Sequence, residues 1–413
     1  MLENYIKSSV TQKRLREGLF APHIEGFANW LNIKGFKALT IEGSMRSLAG
    51  WADWMCESDF TSVDDLVSGF EAYKIALDKK RRTYCNHRPN KEYIHAASAY
   101  IQFLQESGII VRPPILPSPI DAWPILVEYC SWSRQHRGIR ETTLYGYQDI
   151  ALALVKSLGD ATHAYTAKAI RDFVFNRAKP HGIWRANSIA TAVRAFLRFL
   201  TCTGRCSVGL VYSVPTYASW KLQSVPRYLE PADVKRVIDA CIDKEPYGLR
   251  DRAVILLLAR LGLRATDIAE LSFANIDWKN GRIAVCGKGR RHEWLPLPQD
   301  IGDAILRYIK ESRPSLKSDR VFTTVKAPLG PLTRCGVKQI AGRAIRRAGV
   351  KAPSYGAHVF RHSAATAMLR EGVSLAGIGA VLRHRSPSTT AIYAKVDFGL
   401  LSEVAQEWPK VLS

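Results

Sequence analysis

The side chains best suited to chemistry lie close together between Gly356 and Val396: His358, Arg361, His384 and Tyr393. They supply two imidazoles, a guanidinium that can fork onto a phosphate, and a phenol. His358 and Arg361 stand three residues apart, so they share one face of a helix. That helix runs apolar through Ala364, Ala365, Ala367, Met368 and Leu369, and Gly372 stops it. Ser374 caps a second helix, Leu375 to Leu382, and His384 follows directly. Pro387 suits the first turn of the last helix, on which Tyr393 rides. An ordinary helical hairpin with a polar surface is the plainer reading. It leaves unexplained why a phenol, two imidazoles and an arginine are joined by such short connections. The set points to phosphoryl chemistry with a tyrosine nucleophile.

Further upstream, Leu249 to Leu261 (LRDRAVILLLARL) has the character of a buried helix, and GLR then ATDIAEL follow it. Arg264 alone could be a helix-end cation satisfying carbonyls. Arg282 to Val285 alternates, Cys286-Gly287-Lys288-Gly289 makes a turn, and Trp294 to Leu297 returns, which predicts a β-hairpin.

Taken in order, H-x-x-R-H, then LRH, then T-T-x-x-Y resembles the C-terminal half of the catalytic domain of the tyrosine recombinase (phage integrase) family. GLR-x-x-D and the hairpin extend the resemblance upstream. By that resemblance Arg264 is the first catalytic arginine, and Asp267 stands where the family has a supporting glutamate. Lys288 takes the place of the mobile catalytic lysine. Arg290, Arg291 and His292 replace the usual lysine and arginine spacing, and Arg290 is a second candidate for the lysine's position. Phe360, Ala364, Arg383 and Lys395 depart from the family's leucine, phenylalanine, glycine and histidine, and none removes a catalytic group. Arg383 is the oddest of these.

The chemistry implied is attack of Tyr393 on a phosphodiester, giving a 3′-phosphotyrosine that the 5′ hydroxyl of another strand reverses. Arg264 and Arg361 hold the non-bridging oxygens. His358 is the candidate base, His384 hydrogen-bonds the phosphate, and Lys288 protonates the leaving 5′ hydroxyl. Two arginines and a lysine supply the positive charge, so no metal and no cofactor are expected. The linkage conserves bond energy, and no G-x-x-x-x-G-K-[ST] loop is present to hold ATP.

Composition agrees with a nucleic-acid partner. The chain has 413 residues, 47% of them apolar, and a net charge of +22. That is enough for two or three packed domains, and the charge is the footprint of a DNA binder. A merely soluble basic protein and a membrane-surface protein are the alternatives, but no long basic amphipathic helix stands out. The N-terminal stretch has no apolar signal core, and Ala253 to Leu258 is far too short to span a bilayer. The eight cysteines are scattered and no Cys/His set completes a zinc site. They read as reduced packing residues of a cytoplasmic protein.

An internal repeat runs through the first half. Residues 27–43 resemble 129–146, with Trp30 against Trp132, Gly35 against Gly138 and Thr40 against Thr143. Residues 100–108 resemble 196–204, with Phe103 against Phe199 and Leu104 against Leu200. The fold expected is therefore mainly α. Two tandem α-helical DNA-clamp domains (1–114 and 118–207) precede a tether (208–228) and a mixed α+β catalytic domain (229–413) with a small antiparallel sheet and a tail helix. Prolines 113, 114, 117 and 119 stiffen the joint between the clamps.

By resemblance the second clamp is the SAM-like core-binding domain. Arg140, Thr142, Thr143 and Tyr147, with Arg185, Ser188 and Arg194, sit where such a domain meets phosphates. The first clamp carries Lys79, Lys80, Arg81 and Arg82, suited to a DNA backbone or to a solvated loop. Arg290 and Arg291 in the hairpin and Arg343, Arg346 and Arg347 on a basic amphipathic helix are further DNA-facing candidates. The favoured function is a site-specific recombinase of a mobile element. It acts on double-stranded DNA as a tetramer, through a four-way (Holliday) junction, with partner recombinases or DNA-bending proteins as possible helpers. A type IB topoisomerase and a non-catalytic DNA-binding accessory protein are the alternatives.

Overall fold

The computed structural model describes residues 2–17, 19–58, 60, 62, 65–81, 90–110, 119–218, 225–241, 247–286, 292–396, 401, 402 and 405. By contacts it separates into one unit of residues 111–223 and another that combines 1–110 with 224–413.

The first segment consists of α1 (Ser9–Glu17), α2 (Ile24–Ile33), α3 (Ala38–Glu57), α4 (Leu66–Arg81) and α5 (Asn90–Glu106) around a core of its own. In the 111–223 unit, α6 (Pro124–Arg137), α7 (Glu141–Leu158), α8 (Ala167–Ala178) and α9 (Ile183–Cys202) surround another. The repeat read from the sequence has a counterpart in ring geometry. Phe27 meets Tyr100 edge-on at 5.1 Å and 85°, and Tyr129 meets Phe196 at 5.1 Å and 80°. Phe27 lies 5.7 Å from Phe103 at 46°, and Tyr129 lies 5.6 Å from Phe199 at 52°. Trp30 tilts against Phe103 at 58°, and Trp132 against Phe199 at 56°. The glycines recur too: Gly35 and Gly138, and Gly108 and Gly204, all have positive φ. Turn and aromatic packing thus repeat together, which chance amphipathicity does not require.

The tether is partly core. A 3₁₀ turn over Val208–Ser213 brings Leu210, and Val214 beyond it, into the α6–α9 interior. The Arg194 guanidinium fastens it by donating to the carbonyls of Val214 and Pro215, both at 3.0 Å, and to Thr216 Oγ1 at 2.7 Å.

The rest begins with α10 (Pro231–Asp239), which Pro231 opens, and α11 (Gly248–Arg260), buried on nearly every side. Next come α12 (Ala265–Ala269), β1 (Ile276–Asp277), β2 (Arg282–Cys286), β3 (His292–Pro296), α13 (Gln299–Arg307), α14 (Arg334–Arg347), α15 (Ala357–Arg370), α16 (Leu375–Val381) and α17 (Pro387–Thr390). The strands form an antiparallel sheet in the order β1-β2-β3, with Ile276 opposite Ile283 and Ile283 opposite Leu295. Ile283, Val285 and Leu295 are buried, and Ala284 between the first two is buried too. The hairpin tip, 287–291, lies outside the described residues. The loop before α14 reaches the first segment, where the Leu329 amide donates to the Lys34 carbonyl at 2.9 Å. Among the described residues no helix is long and apolar enough to cross a membrane.

Candidate active site

Three consecutive turns of chain bring the site together. Gly372 (φ +81°) ends α15, and the Ser374 hydroxyl caps α16 by accepting from the Gly377 amide at 3.1 Å. Leu382, Arg383 and His384 follow α16, and Ser386 caps α17. Tyr393 does not ride on an α-helix: it sits on a 3₁₀ stretch, Ala391–Val396, directly after α17. This tighter winding turns its ring back toward α15.

Arg361, on α15, is buried, with 3% of its surface exposed. Its Nη1 donates to the Gly262 carbonyl at 2.6 Å and its Nη2 to the Leu382 carbonyl. Gly262 has φ +57°, and a Cβ there would lie 2.6 Å from Leu382 Cδ2, so glycine suits both the conformation and the space. Arg264 caps α12. Its amide donates to Asp267 Oδ2 at 3.0 Å, and its Nη2 donates to the Arg383 carbonyl at 3.3 Å. Asp267 also receives the Arg383 side chain in a buried ion pair.

Tyr393 is almost wholly buried. Its hydroxyl lies 3.0 Å from Nδ1 of His362. The His384 ring lies parallel to the Tyr393 ring, 4° apart with centroids at 6.5 Å, and its Nδ1 is 2.8 Å from Thr390 Oγ1. His358 packs edge-on against His362 at 5.3 Å and is itself exposed at the surface. The imidazole in reach of the phenol is therefore His362 rather than His358. His362 is the last residue of the quoted H-x-x-R-H motif. It stands four residues from His358, on the same face, and that spacing is the one signal from which it could have been found.

The electrostatics follow from crowded cations with little water. Burial, reinforced by the charge on Arg264, lowers the Arg361 pKa to about 10. Burial, then His358 and Arg361, brings His362 down to about 4. Burial, then Arg361 and Arg264, brings His384 down to about 4. His358 is exposed in part, yet the packing around its ring, then Arg361, Arg264 and Lys338, lowers it too. Burial pushes Tyr393 up to about 12, against the pull of Arg361. At neutral pH the His362 and His384 imidazoles are uncharged and the phenol holds its proton. A bound anion would relieve this concentration of positive charge.

The structure draws Arg264, Asp267, His358, Arg361, His384 and Tyr393 close together. Lys288, Arg290 and Arg291 lie outside the described residues, as do Arg82 and the side chains of Lys79, Lys80 and Arg81 at the end of α4. Arg140, Thr142, Thr143, Arg185 and Ser188 are exposed and Tyr147 is half-buried. Arg194 is committed to the tether. Arg346 lies over the Tyr355 ring at 5.2 Å and Arg347 over the Tyr247 ring at 5.5 Å. Arg343 and Arg347 line a separate cavity with Arg250 and Lys326. Lys338, whose charge reaches His358, marks the site-facing side of α14.

Residues 227–399 match the Phage integrase family. Across 99% of both chains, the sequence is 34% identical to the integrase/recombinase y4rA of Sinorhizobium fredii. The chain belongs to the phage integrase family of tyrosine recombinases. The tyrosine recombinase XerC of Lactobacillus delbrueckii subsp. bulgaricus is 30% identical over 53% of this chain and 75% of its own. Among solved structures, XerH site-specific recombinase bound to palindromic difH substrate shares the fold. Its TM-score is 0.54 at 18% identity, over 70% of this chain and 85% of that one. This tyrosine recombinase is thus a site-specific DNA-recombining enzyme, which cleaves and rejoins DNA strands. Neither alternative, a type IB topoisomerase or a non-catalytic accessory protein, is favoured by these relatives.

Proposed function

We propose that this recombinase cuts double-stranded DNA with Tyr393 and exchanges strands between paired sites of a mobile element. The observation that carries this reading is the buried Tyr393 hydroxyl, 3.0 Å from His362 Nδ1, in a pocket where Arg264 and Arg361 supply two guanidinium groups. A phosphodiester resists attack because its oxygens are charged. Arg264 and Arg361 hold the non-bridging oxygens and stabilise the pentavalent transition state. The Tyr393 oxygen attacks phosphorus as its proton passes to neutral His362. The P–O5′ bond breaks, and the 5′ oxygen takes a proton from Lys288. His384, oriented by Thr390, donates to the phosphate. The 3′-phosphotyrosine stores the bond energy, and attack by a 5′ hydroxyl from the partner strand reverses each step through a Holliday junction. His358, one turn before His362, keeps the His362 ring in place.

The domain reading follows the three larger cores: 1–114, 118–207 with its tether 208–228, and 229–413. Charge assigns the DNA clamp. Residues 111–223 hold 14 Lys and Arg against 6 Asp and Glu, whereas residues 1–110 hold 14 against 13. The α6–α9 module grips the DNA backbone, and the N-terminal copy has nearly balanced charge. A tetramer on DNA, the arrangement of lambda integrase bound to a Holliday junction, is the working assembly, in the cytoplasm.

The test uses labelled duplexes tiled across the DNA flanking the gene, each with a nick that lets the cleaved end diffuse away. A denaturing gel should show a protein–DNA adduct on at least one duplex, absent with Tyr393→Phe. Tight binding without an adduct on any duplex would overturn the assignment.

A further inference from the structure

We infer that Arg383 is a positioning residue of the strand-cutting reaction, locking Arg264 through a buried ion pair with Asp267. It rests on the reading that Arg264 holds the scissile phosphate.

Arg383 occupies a place where an arginine is costly twice over. Its φ is +56°, and it is the one described non-glycine residue with positive φ. It lies just after α16, whose C-cap is Leu382, at the position where helices ordinarily end in glycine. A side chain there strains the backbone. The guanidinium is also buried, with a side-chain exposure of 2%, and burying an unpaired cation is more costly still. Those costs require compensation nearby, and the structure supplies it in a closed circuit. The Arg383 Nη2 binds Asp267 Oδ2. The same Oδ2 accepts the Arg264 amide at 3.0 Å. The Arg264 Nη2 returns to the Arg383 carbonyl at 3.3 Å. Arg264 is therefore held at its main chain by Asp267 and at its head group by Arg383, across a separation of more than a hundred residues in sequence.

The neighbouring Leu382 carbonyl accepts from Arg361 Nη2. That contact is made by a main-chain atom and does not depend on the Arg383 side chain, whose own contact is with Asp267. Arg383 itself does not reach the substrate: its Nε and Nη1 are buried and have no acceptor among the described residues. Its influence on the phosphate passes through Arg264. Asp267 is short, and the Arg383 side chain fills the distance between that carboxylate and the turn after α16.

The test is a double-mutant cycle with the full chain on the nicked duplex that gives the Tyr393 adduct. Arg383→Gly should slow single-turnover adduct formation about 10- to 100-fold, the usual effect of losing a group that orients a site residue. DNA affinity should stay within about twofold, since the exposed phosphate contacts are untouched. In an Arg264→Ala background the same substitution should cost little, because its route of action is gone. Adding Asp267→Glu to Arg383→Gly should restore part of the rate, the longer carboxylate reaching the head of Arg264. Asp267→Asn serves as a second break in the circuit should Arg383→Gly fold poorly. A wild-type rate for Arg383→Gly, or an equal loss with and without Arg264, would overturn the inference. Tyr393→Phe on the same duplex keeps this outcome separate from a failure of the nucleophile assignment.

Discussion

His362 Nδ1 lies 3.0 Å from the Tyr393 hydroxyl, and burial, with His358 and Arg361, holds the His362 imidazole uncharged at neutral pH. A neutral imidazole accepts a proton, and the phenol beside it, pushed up to about 12, needs one removed. His362→Ala should therefore slow adduct formation roughly 100- to 10,000-fold, the range of a general base. His358→Ala should slow it less. Single-turnover rates on one duplex make the comparison, and equal losses would argue against a special place for His362.

The pH profile carries the same signature. His362 must be neutral to act, so the rate at sub-saturating DNA should fall as pH drops through about 4. An ordinary histidine would place that acid limb near about 6.5. A limb at the higher value would mean that the base is a solvated imidazole elsewhere.

Stability of the DNA-free protein should follow the same groups. His362 and His384 are both brought down to about 4 in the folded state. Their unfolded pKa lies near about 6.5, so between the two values the unfolded chain binds more protons. Their contribution is fully present above the unfolded value and is lost as pH falls toward about 4. Thermal melts should show Tm declining across that window, with a shallower decline in His362→Asn. An unchanged slope in the variant would contradict the shift.

Gly262 holds Arg361 through its carbonyl, at φ +57° and pressed against Leu382. Gly262→Ala should cost about 1–2 kcal/mol in stability from the backbone alone. It should also slow adduct formation by moving that carbonyl. Melting and cleavage should fall together, and a variant with native Tm and native rate would show that the contact is dispensable.

Arg140 and Arg185 are exposed on the α6–α9 module, whereas Arg194 pins its tether. Arg140→Ala and Arg185→Ala should each lower DNA affinity and reduce the salt slope by about one, as loss of a phosphate contact does. Arg194→Ala should lower Tm and leave the slope unchanged. Binding isotherms at several salt concentrations separate the two behaviours.

Much of this was legible in the sequence because local rules govern it. Gly372 and Ser374 mark a helix end and a helix start, and the runs 282–285 and 294–297 flank a glycine-bearing stretch as a hairpin's strands do. The Trp30/Trp132 and Phe103/Phe199 pairs revealed the repeat because the same rings fill the same gap twice. That His362, not His358, lies beside the Tyr393 hydroxyl was not legible. Both lie on one helix face, and the direction of Tyr393 depends on the 3₁₀ turn after α17. Nor could spacing reveal that Arg383 meets Asp267 or that Arg194 fastens the tether, since those partners meet only in the folded chain.

The central claim is that Tyr393 becomes the covalent link to DNA. The most direct measurement is mass spectrometry of the adduct after nuclease and trypsin digestion. The peptide from Ser386 to Lys395, whose one tyrosine is Tyr393, should carry the mass of a residual 3′-nucleotide, with the modification on that residue. A nucleotide on any other peptide, or an adduct that persists in Tyr393→Phe, would contradict the account.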